Sequence, residues 1–308
     1  MKKEILVRAP ATVANFGPGF DIFAMALEAP FDILRIRPKP QTGIKIHITD
    51  GRQCLPTKPE ENTAGLAAMH FFKETGTGGG ADIEIIKRMP TGAGLGSSAA
   101  SAVAAVHGLN EIFQTRLQAV EVIKLASLGE VASGGTPHAD NVAACGLGGF
   151  VFVKCTSPLG LQKVEVPAIP IIIRVRKKSQ TTTRGQIPGQ FALSLMKEQM
   201  AGCTTLLHAL IGGDVKRIGE AINQDHISEP VRARTIPGYD ELKRIALKAG
   251  AFGCNVSGGG SSVFAICAAE NIAAVAEAMR SFPRPDEAVA EVIVTQSSNQ
   301  GVREIHGL

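Results

Sequence analysis

The chain has 308 residues, of which 44% are hydrophobic and 19% charged, and its formal net charge is +4. This length is more than one hydrophobic core usually serves, and the apolar content excludes a disordered chain, so we expect one large domain or two closely packed domains. The scattered Lys and Arg residues and the absence of Trp argue against a nucleic-acid-binding surface, and no apolar run approaches the ~18 residues of a membrane span.

The cysteines and the first residues predict a cytoplasmic protein without disulfides. None of the six cysteines forms a C-x-x-C pair, and a chain of this length has enough core to fold without disulfides. The first residues, MKKEILVRAP, are interrupted by Glu4 and Arg8 and do not resemble the apolar stretch of a secretory signal peptide. We therefore expect reduced, mostly buried thiols in a protein that is neither exported nor anchored in a membrane.

Hydrophobic patterning predicts strands and helices that do not alternate as regular βαβ units. Strands are predicted at Glu4–Ala9, Pro30–Pro38, Gly43–Thr49, Asp82–Arg88, Gly149–Lys154, Ile169–Arg176, twice within Phe252–Cys267, and at Ala290–Gln296. Helices are predicted at Glu61–Lys73, Ser97–Phe113, Leu117–Ser133, Phe191–Leu210, Asp214–Asn223, Tyr239–Ala249 and Asn271–Met279. This mixture favours an α+β fold over a doubly wound sheet. A change to Pro, Gly and short connecting segments near Leu159–Pro167 predicts two lobes, residues 1–160 and 161–308.

A glycine-rich segment, PTGAGLGSS (Pro90–Ser98), connects the fourth predicted strand to an Ala-rich helix. Glycines allow backbone amides to approach a ligand closely, and the helix presents its unpaired N–H groups and the positive end of its dipole to that ligand. The spacing is neither G-x-G-x-x-G nor G-x-x-x-x-G-K-[ST]. A purely structural turn between strand and helix is the alternative, but it requires only one or two glycines. The segment therefore predicts a phosphate-binding loop of another type.

The sequence P-T-G-A-G-L-G-S-S-A-A resembles the phosphate-binding motif of the GHMP kinases. Two further segments follow the order of that family: APATVANFGPGFDIFAMAL (Ala9–Leu27) resembles its N-terminal substrate motif, and CNVSGGGSSVFAI (Cys254–Ile266) its C-terminal glycine loop. The resemblance spans nearly the whole chain. It implies a two-lobed GHMP kinase fold, with an N-terminal nucleotide-binding lobe and a C-terminal ferredoxin-like lobe. It also implies ATP and Mg²⁺, a small-molecule acceptor and a homodimer.

Within this family, several segments resemble the homoserine kinases. They are ANFGPGFD (Ala14–Asp21), HADNVAA (His138–Ala144), TTTRGQIP (Thr181–Pro188) and EPVRARTIPGY (Glu229–Tyr239). The resemblance implies ATP-dependent phosphorylation of the side-chain hydroxyl of L-homoserine, a step of threonine biosynthesis. Two alternatives remain open: another small-molecule kinase of the family, such as a mevalonate-type kinase, and a non-catalytic nucleotide-binding relative.

The residues that resemble an acceptor site suit a zwitterionic amino acid. Arg184 and Arg232 carry guanidinium groups that can bind a carboxylate bidentately. Asn15, Asp21 and His138 are polar groups suited to an ammonium and a hydroxyl. Taken singly, these residues also fit purely structural roles. Each arginine is compatible with a solvated surface charge, Asp21 with a helix or turn cap, and His138 with a structural hydrogen bond.

Two neighbouring residues are candidates for assisting phosphoryl transfer. We expect Asn141 to orient the acceptor hydroxyl. Asp140 is a candidate general base or a structural partner, and the sequence leaves both roles open.

The resemblance also implies which residues bind the nucleotide and the metal ion. The expected nucleotide-binding residues are Asn62, Lys87, Pro90, Gly92, Ala93, Gly94, Leu95, Gly96, Ser97, Ser98, Gly258, Gly259 and Gly260. Ser98 and Glu130 are the expected Mg²⁺ ligands, because Mg²⁺ prefers oxygen ligands together with substrate phosphates. The alternatives are a helix N-cap for Asn62 and a solvated helix face for Glu130.

Overall fold

The computed structural model describes residues 2–49, 55–134, 138–176, 184–259, 262–283 and 291–307. The strands are β1 (Ile5–Ala14), β2 (Phe23–Lys39), β3 (Gly43–Thr49), β4 (Gly80–Ile86), β5 (Phe150–Thr156), β6 (Leu159–Val164), β7 (Pro170–Val175), β8 (Ala251–Val256), β9 (Val263–Cys267), β10 (Glu291–Gln296) and β11 (Arg303–Ile305). The α-helices are α1 (Thr63–Thr75), α2 (Ser97–Phe113), α3 (Ala119–Gly129), α4 (Val131–Gly134), α5 (Asp140–Leu147), α6 (Leu193–Gly212), α7 (Val215–Ala221), α8 (Glu229–Arg232), α9 (Tyr239–Lys248) and α10 (Ile272–Ser281).

In the part of the chain that the structure describes, the first sheet contains seven strands and carries α2 on one face. Its strand order is β11-β1-β2-β4-β3, and β5 joins it through β2 and continues to β6. All pairs are antiparallel except β3–β4. Helix α2 packs against β1 and β2 and lies beside α1, α3 and α5. Helix α2 is buried on nearly every side, and its small alanine side chains allow the neighbouring elements to approach closely.

The second sheet has four antiparallel strands in the order β10-β7-β9-β8. In chain order this is a 4-1-3-2 sheet, in which helices follow the first and third strands, as in a ferredoxin-like βαββαβ unit. Helices α7, α9 and α10 pack against these strands. The ferredoxin-like C-terminal unit implied by the sequence therefore matches the observed topology.

One hydrophobic core continues from the first sheet into the second. Ile171 and Ile173 of β7 face a large cluster that also contains Phe16 and Phe150 of the first half. Ile172, one residue apart, faces a smaller cluster under α9 and α10. This alternation follows from the period of two along a strand.

The predicted elements differ from the observed ones at several places. Strand β2 begins at Phe23, seven residues before the predicted start at Pro30. Strand β1 continues past Pro10 to Ala14, with a shift of register between Pro10 and Thr12 that accommodates the proline. Strand β6 (Leu159–Val164) occupies most of the segment that the sequence suggested as a boundary, and it pairs with β5. Strand β11, near the end of the chain, pairs with β1 of the first sheet. The α+β class is confirmed, while the division at residue 160 stays a prediction.

The described cysteines are Cys145, Cys155, Cys203, Cys254 and Cys267, and all of them are free. Cys54 lies outside the described residues. Within the described ranges no helix combines the length and apolar character needed to cross a membrane.

Candidate functional site

A cleft of about 800 Å³ brings together most of the residues that the sequence singled out. Its lining includes Asn15, Asp21, Asn62, Lys87, Gly92, Ala93, Gly94, Leu95, Gly96, Ser97, Ser98, Glu130, His138, Asp140, Asn141, Arg232, Gly258 and Gly259. Pro90 precedes the lining residues in the connection between β4 and α2. Arg184 begins a short 3₁₀ helix beside Gly185, which lines the cleft, but its side chain and Gly260 lie outside the described residues.

The glycine loop between β4 and α2 requires glycine at each of its alternate positions. Gly92, Gly94 and Gly96 have φ values of 67°, 74° and 68°, in the left-handed region that other residues rarely adopt. Gly96 is the N-cap of α2 and provides no side-chain cap. The N–H groups of the first turn of α2 are therefore available to a ligand in the cleft, and the helix dipole favours an anion there. Three positive-φ glycines that lead into a cleft fit a phosphate loop better than a simple turn.

Gly96→Ala should weaken nucleotide binding about tenfold or more and destabilise the protein. A Cβ at residue 96 would lie 2.1 Å from Thr12 Oγ1, so the loop or β1 must move. Gly76→Ala is a matched control, because Gly76 has a φ of 65° but its added Cβ meets nothing within 4 Å. The control should cost about 1–2 kcal/mol for the left-handed backbone alone, and Gly96→Ala about 1–3 kcal/mol more. Urea unfolding and ATP titration calorimetry measure both effects; equal losses in the two variants would contradict the steric argument.

Ser98 and Glu130 form a pair at the start of α2. Ser98 Oγ donates to Glu130 Oε2 at 2.9 Å. Glu130 is buried, and its Oε1 has no hydrogen-bond partner within the described part of the chain. The pKa of the Glu130 carboxyl is raised to about 7, mainly by burial and also by the charge of Asp140, while the Ser98 hydrogen bond and Lys87 act in the opposite direction. Glu130 is thus not a solvated helix residue.

A buried carboxylate oxygen without a partner is the feature that a bound cation would satisfy. The described residues contain no group of three or more His, Cys, Asp or Glu side chains arranged around one point. One carboxylate and one hydroxyl are nevertheless a set that suits Mg²⁺, which usually takes one or two carboxylates together with substrate phosphates and waters. The residues present therefore fit the ion that the family resemblance implies.

Lys87 lies beneath the glycine loop in a buried ion pair. Its Nζ is 2.6 Å from Asp32 Oδ2 and 2.8 Å from the hydroxyls of Ser97 and Ser101. Asp32 Oδ1 accepts the backbone N–H groups of Arg88 and Met89, at 2.8 and 3.0 Å. The ammonium of Lys87 is therefore engaged by the protein itself, and the pair ties the start of α2 to β2 and to the end of β4.

Asn141 is held from below by β1. Thr12 Oγ1 donates to Asn141 Oδ1 at 2.6 Å, and the Thr12 backbone N–H donates to Leu95 O at 3.0 Å. Asp140 is buried, and its Oδ1 accepts the backbone N–H of Asn141 at 2.8 Å. Both residues belong to the first turn of α5, a helix that the sequence analysis did not predict.

The two glycine loops and the N-terminal motif contact one another. Ser257 Oγ donates to Gly94 O at 2.7 Å, and the Gly258 N–H donates to Ala14 O at 3.1 Å. Gly258 O accepts from Arg232 Nη1 at 2.5 Å and from Asn15 Nδ2 at 3.3 Å. The phosphate loop and the predicted acceptor residues are thereby joined through the C-terminal glycine loop.

Arg232 and Asp21 differ in their exposure to solvent: Arg232 is buried and Asp21 is half-buried. Arg232 is only 3% exposed, so it is not a solvated surface charge, and its guanidinium carbon lies 5.3 Å from the centre of the Phe20 ring. Asp21 is half-buried with a φ of 60°, and its backbone N–H donates to Asn15 Oδ1 at 3.1 Å. Asn15 therefore shapes the turn that carries Asp21.

Asn62 is the N-cap of α1, the alternative that the sequence left open. Its Oδ1 accepts the N–H groups of Ala64 and Gly65, and its Nδ2 donates to Pro56 O at 2.8 Å. Asn62 and Pro56 both line the cleft. The cap therefore fixes the part of the cleft lining that lies beside α1.

Sequence reasoning missed the residues that support the site from behind: Asp32, Thr12, Ser257 and Ser101. Only Asp32 gave a local signal, since a single carboxylate stands in the otherwise apolar first part of a predicted strand, and buried carboxylates require partners. Thr12 and Ser257 lie within quoted motifs, but their partners, Asn141 and Gly94, are 129 and 163 positions away, so their contacts were not predictable. Ser101 contacts Lys87, 14 positions before it, and its place in an Ala-rich helix does not identify that contact.

Comparison with known proteins relates the chain to one family of kinases. The sequence matches the GHMP kinases N terminal domain over residues 62–149 and the GHMP kinases C terminal domain over residues 206–284. It is 37% identical over 276 residues to a homoserine kinase of Methanococcus vannielii. The aligned region covers 88% of this chain and 90% of that relative. The crystal structure of a homoserine kinase from Cytophaga hutchinsonii matches with a TM-score of 0.91 at 37% identity, covering 99% of this chain and 98% of that one. A mevalonate kinase of L. major shares the fold, with a TM-score of 0.73 at 18% identity over 97% of both chains.

Proposed function

This chain belongs to the GHMP kinases, and we propose that it transfers the γ-phosphoryl group of ATP to the side-chain hydroxyl of L-homoserine. The product is O-phospho-L-homoserine, and the reaction is a step of threonine biosynthesis. One observation carries the proposal: a single cleft is lined both by the positive end of α2 and by the buried Arg232 with Asp21. The relatives named homoserine kinase support the same acceptor.

The glycine loop and the first turn of α2 bind the phosphates of ATP in this proposal. Their backbone N–H groups and the helix dipole favour negative charge, and Gly258 and Gly259 line the same cleft next to Gly94. The base of ATP is assigned to the part of the cleft lined by Asn62 and Pro56. Lys87 acts from beneath, because it fixes Ser97 at the start of the helix.

Ser98 and Glu130 would hold Mg²⁺ together with the phosphates. The ion, when bound, neutralises charge that develops on the phosphoryl oxygens during transfer. The protein contributes a buried carboxylate with one oxygen that no described residue engages.

The acceptor pocket is formed by groups that complement a zwitterion. The guanidinium of Arg232 binds the carboxylate of homoserine, and the carboxylate of Asp21 binds its ammonium. Arg184 and His138 add to these contacts. Thr12 engages the amide oxygen of Asn141 and thereby fixes the orientation of that side chain. In this position Asn141 orients the acceptor hydroxyl toward the γ-phosphate.

The protein accelerates transfer mainly by alignment. Phosphoryl transfer needs little covalent chemistry from an enzyme, which contributes positioning and charge neutralisation. Fixing two reactants in line can contribute up to ~7–11 kcal/mol in the best intramolecular cases. The closely hydrogen-bonded loops around Gly258 provide the rigidity that such alignment requires.

Arg232→Lys should raise the KM for homoserine roughly tenfold to a hundredfold and leave the KM for ATP nearly unchanged. A lysine keeps the charge but cannot bind a carboxylate bidentately while also contacting Gly258 O. Hydrogen bonds to charged groups contribute about 1.5–3 kcal/mol. Arg244→Lys is the control, because Arg244 is exposed and pairs with Glu241 on α9. Steady-state kinetics measure the effect; equal changes in both KM values would contradict an acceptor-binding role.

An acceptor panel tests the proposed function against its alternatives. ADP release from Mg-ATP should increase with L-homoserine and not with mevalonate, galactose or L-threonine. Release with mevalonate would favour a mevalonate-type kinase and overturn the assignment of Asp21, since mevalonate has no ammonium group. ATP binding without release for any acceptor would favour a non-catalytic relative.

The family resemblance also supports a homodimer, and the free thiols of the described cysteines fit a reducing compartment such as the cytoplasm. Light scattering after gel filtration tests the first point: a homodimer should have about twice the chain mass of 32.3 kDa.

A further inference from the structure

A buried glutamine, Gln199, lies in the first half of α6 outside every motif of the cleft. It is 5% exposed, while the neighbouring Met200 on the same helix is 63% exposed. A buried primary amide is costly unless both its donor and its acceptor are engaged. The partners of Gln199 therefore indicate why a glutamine stands there.

Both ends of the Gln199 amide are engaged, and each contacts a different part of the chain. Its Nε2 donates to Pro18 O at 2.5 Å and lies 3.4 Å from Asp225 Oδ1. Its Oε1 accepts the backbone N–H of His226 at 2.8 Å. Pro18 lies three residues before Asp21, and His226 lies six residues before Arg232. The amide thus bridges the two segments that carry the proposed acceptor-binding charges.

The first of these segments is a turn held internally by backbone hydrogen bonds, such as Gly19 N–H to Asn15 O at 3.0 Å, and placed against the rest of the protein by side-chain contacts. Between β1 and β2 the backbone of Asn15, Phe16 and Gly17 has φ values of 64°, 43° and 82°, so no regular ladder fixes it. Gly202, one turn after Gln199 on α6, packs against this segment: a Cβ there would lie 3.2 Å from Pro18 Cβ. Helix α6 is therefore the surface against which the turn carrying Asp21 rests.

The second segment is fixed by Asp225, which is 5% exposed. Its Oδ1 accepts the N–H groups of Ile227 and Ser228 at 3.0 and 2.9 Å, and its Oδ2 accepts that of Glu229 at 3.0 Å. Asp225 thus organises the turn that begins α8, the short helix that ends at Arg232. Gln199 contacts both Asp225 and the adjacent His226.

We propose that Gln199 is a positioning residue that fixes the separation of Asp21 and Arg232 and thereby sets the affinity for the amino-acid acceptor. This assignment rests on the proposed function. A glutamine is required because one neutral side chain must donate to a carbonyl and accept from an N–H at the same time. The hydrogen-bond partners of Gln199 in the described part of the chain are Pro18, Asp225 and His226, and none of them is a proposed nucleotide-binding residue. Its loss therefore acts on the acceptor and not on ATP.

Gln199→Met tests the assignment, because methionine has a similar length and volume but neither donates nor accepts strongly. Gln199→Asn is the second variant; it keeps the amide but is too short to reach both partners. Met200→Ala is the control on the exposed face of the same helix. Steady-state kinetics with homoserine and ATP varied in turn give the two KM values and kcat, and circular dichroism and gel filtration establish that each variant is folded.

The expected result is a KM for homoserine raised about tenfold in Gln199→Met and less in Gln199→Asn, with the KM for ATP within about twofold of wild type. Met200→Ala should match wild type. An unchanged KM for homoserine in either folded Gln199 variant, or equal increases in both KM values, would overturn the assignment. A wild-type protein that binds ATP and does not phosphorylate homoserine would instead overturn the proposed function, and the assignment with it.

Discussion

Glu130→Gln is expected to lower kcat about a thousandfold while the protein stays folded. The substitution keeps the shape of the side chain and its contact with Ser98, but it removes the buried negative charge proposed to hold Mg²⁺. A catalytic metal contributes several kcal/mol of charge stabilisation, and each 1.4 kcal/mol corresponds to a factor of ten in rate. The measurement is kcat as a function of Mg²⁺ concentration at saturating ATP.

Glu111→Gln is the control for this prediction, because Glu111 is exposed near the other end of α2. It should retain the kcat and Mg²⁺ dependence of wild type. If Glu130→Gln also retained both, Glu130 would not be the metal ligand and the carboxylate would have a purely structural role.

The same variant should show a stability difference that depends on pH when no metal is present. Burial raises the pKa of the Glu130 carboxyl from its ordinary value of 4.5 to about 7. When the pKa of a carboxyl is higher in the folded than in the unfolded chain, the folded state binds more protons at pH values between the two. The free energy of unfolding of the protein therefore falls as pH rises through this range. The Tm of Glu130→Gln relative to wild type should therefore be higher at pH 8 than at pH 5, measured in a chelating buffer. The same difference at both pH values would contradict this argument.

Lys87→Met is expected to destabilise the protein by about 3–5 kcal/mol and to weaken nucleotide binding. The Lys87 and Asp32 side chains are 4% and 0% exposed, so removal of the ammonium leaves a carboxylate buried without its counter-charge. This loss is a large part of the roughly 5–15 kcal/mol by which domains are stable. The start of α2 also loses the contact of Lys87 with Ser97.

A double variant separates the charge effect from lost packing. Asp32→Asn removes the charge and keeps an oxygen for the N–H groups of Arg88 and Met89. The free energy of unfolding of the double variant Lys87→Met with Asp32→Asn should therefore exceed that of Lys87→Met alone by at least about 1 kcal/mol. Lys58→Met is the surface control: Lys58 pairs with Glu61 at 69% and 54% exposure, so its loss should leave the free energy of unfolding nearly unchanged. Urea unfolding measures all three. A double variant no stabler than Lys87→Met would contradict an uncompensated charge as the cause.

Elements with a clean period and clear flanking signals were predictable from the sequence. The strand Gly43–Thr49 and the helix Ser97–Phe113 have the predicted bounds, because alternation in one and a glycine loop followed by an Ala-rich run in the other leave little choice. The short helix Asp140–Leu147 was not predicted, since eight residues give barely two turns of periodicity. Strand β6 was missed because its sequence, LGLQKV, is polar and glycine-containing, and its partner β5 decides its conformation.

The residues that line the cleft were predictable to a larger extent than those that support it. The glycine loops, Glu130 and Arg232 stand in contiguous segments whose chemistry or resemblance identifies them, and the cleft brings them together. The ion pair of Asp32 with Lys87 and the bridge made by Gln199 join residues that are 55 and 181 positions from their partners. A local pattern cannot encode such a contact, because it depends on which strands and helices become neighbours. Roles for the lining residues remain predictions until variants are measured.

The most direct test of the account is phosphorus-31 NMR of a reaction containing the purified wild-type protein, Mg-ATP and L-homoserine. The account predicts one new phosphomonoester resonance, coupled to the side-chain methylene next to the homoserine oxygen, that grows in equal amount with ADP. Formation of ADP with inorganic phosphate alone, or no ADP in the presence of homoserine, would contradict it.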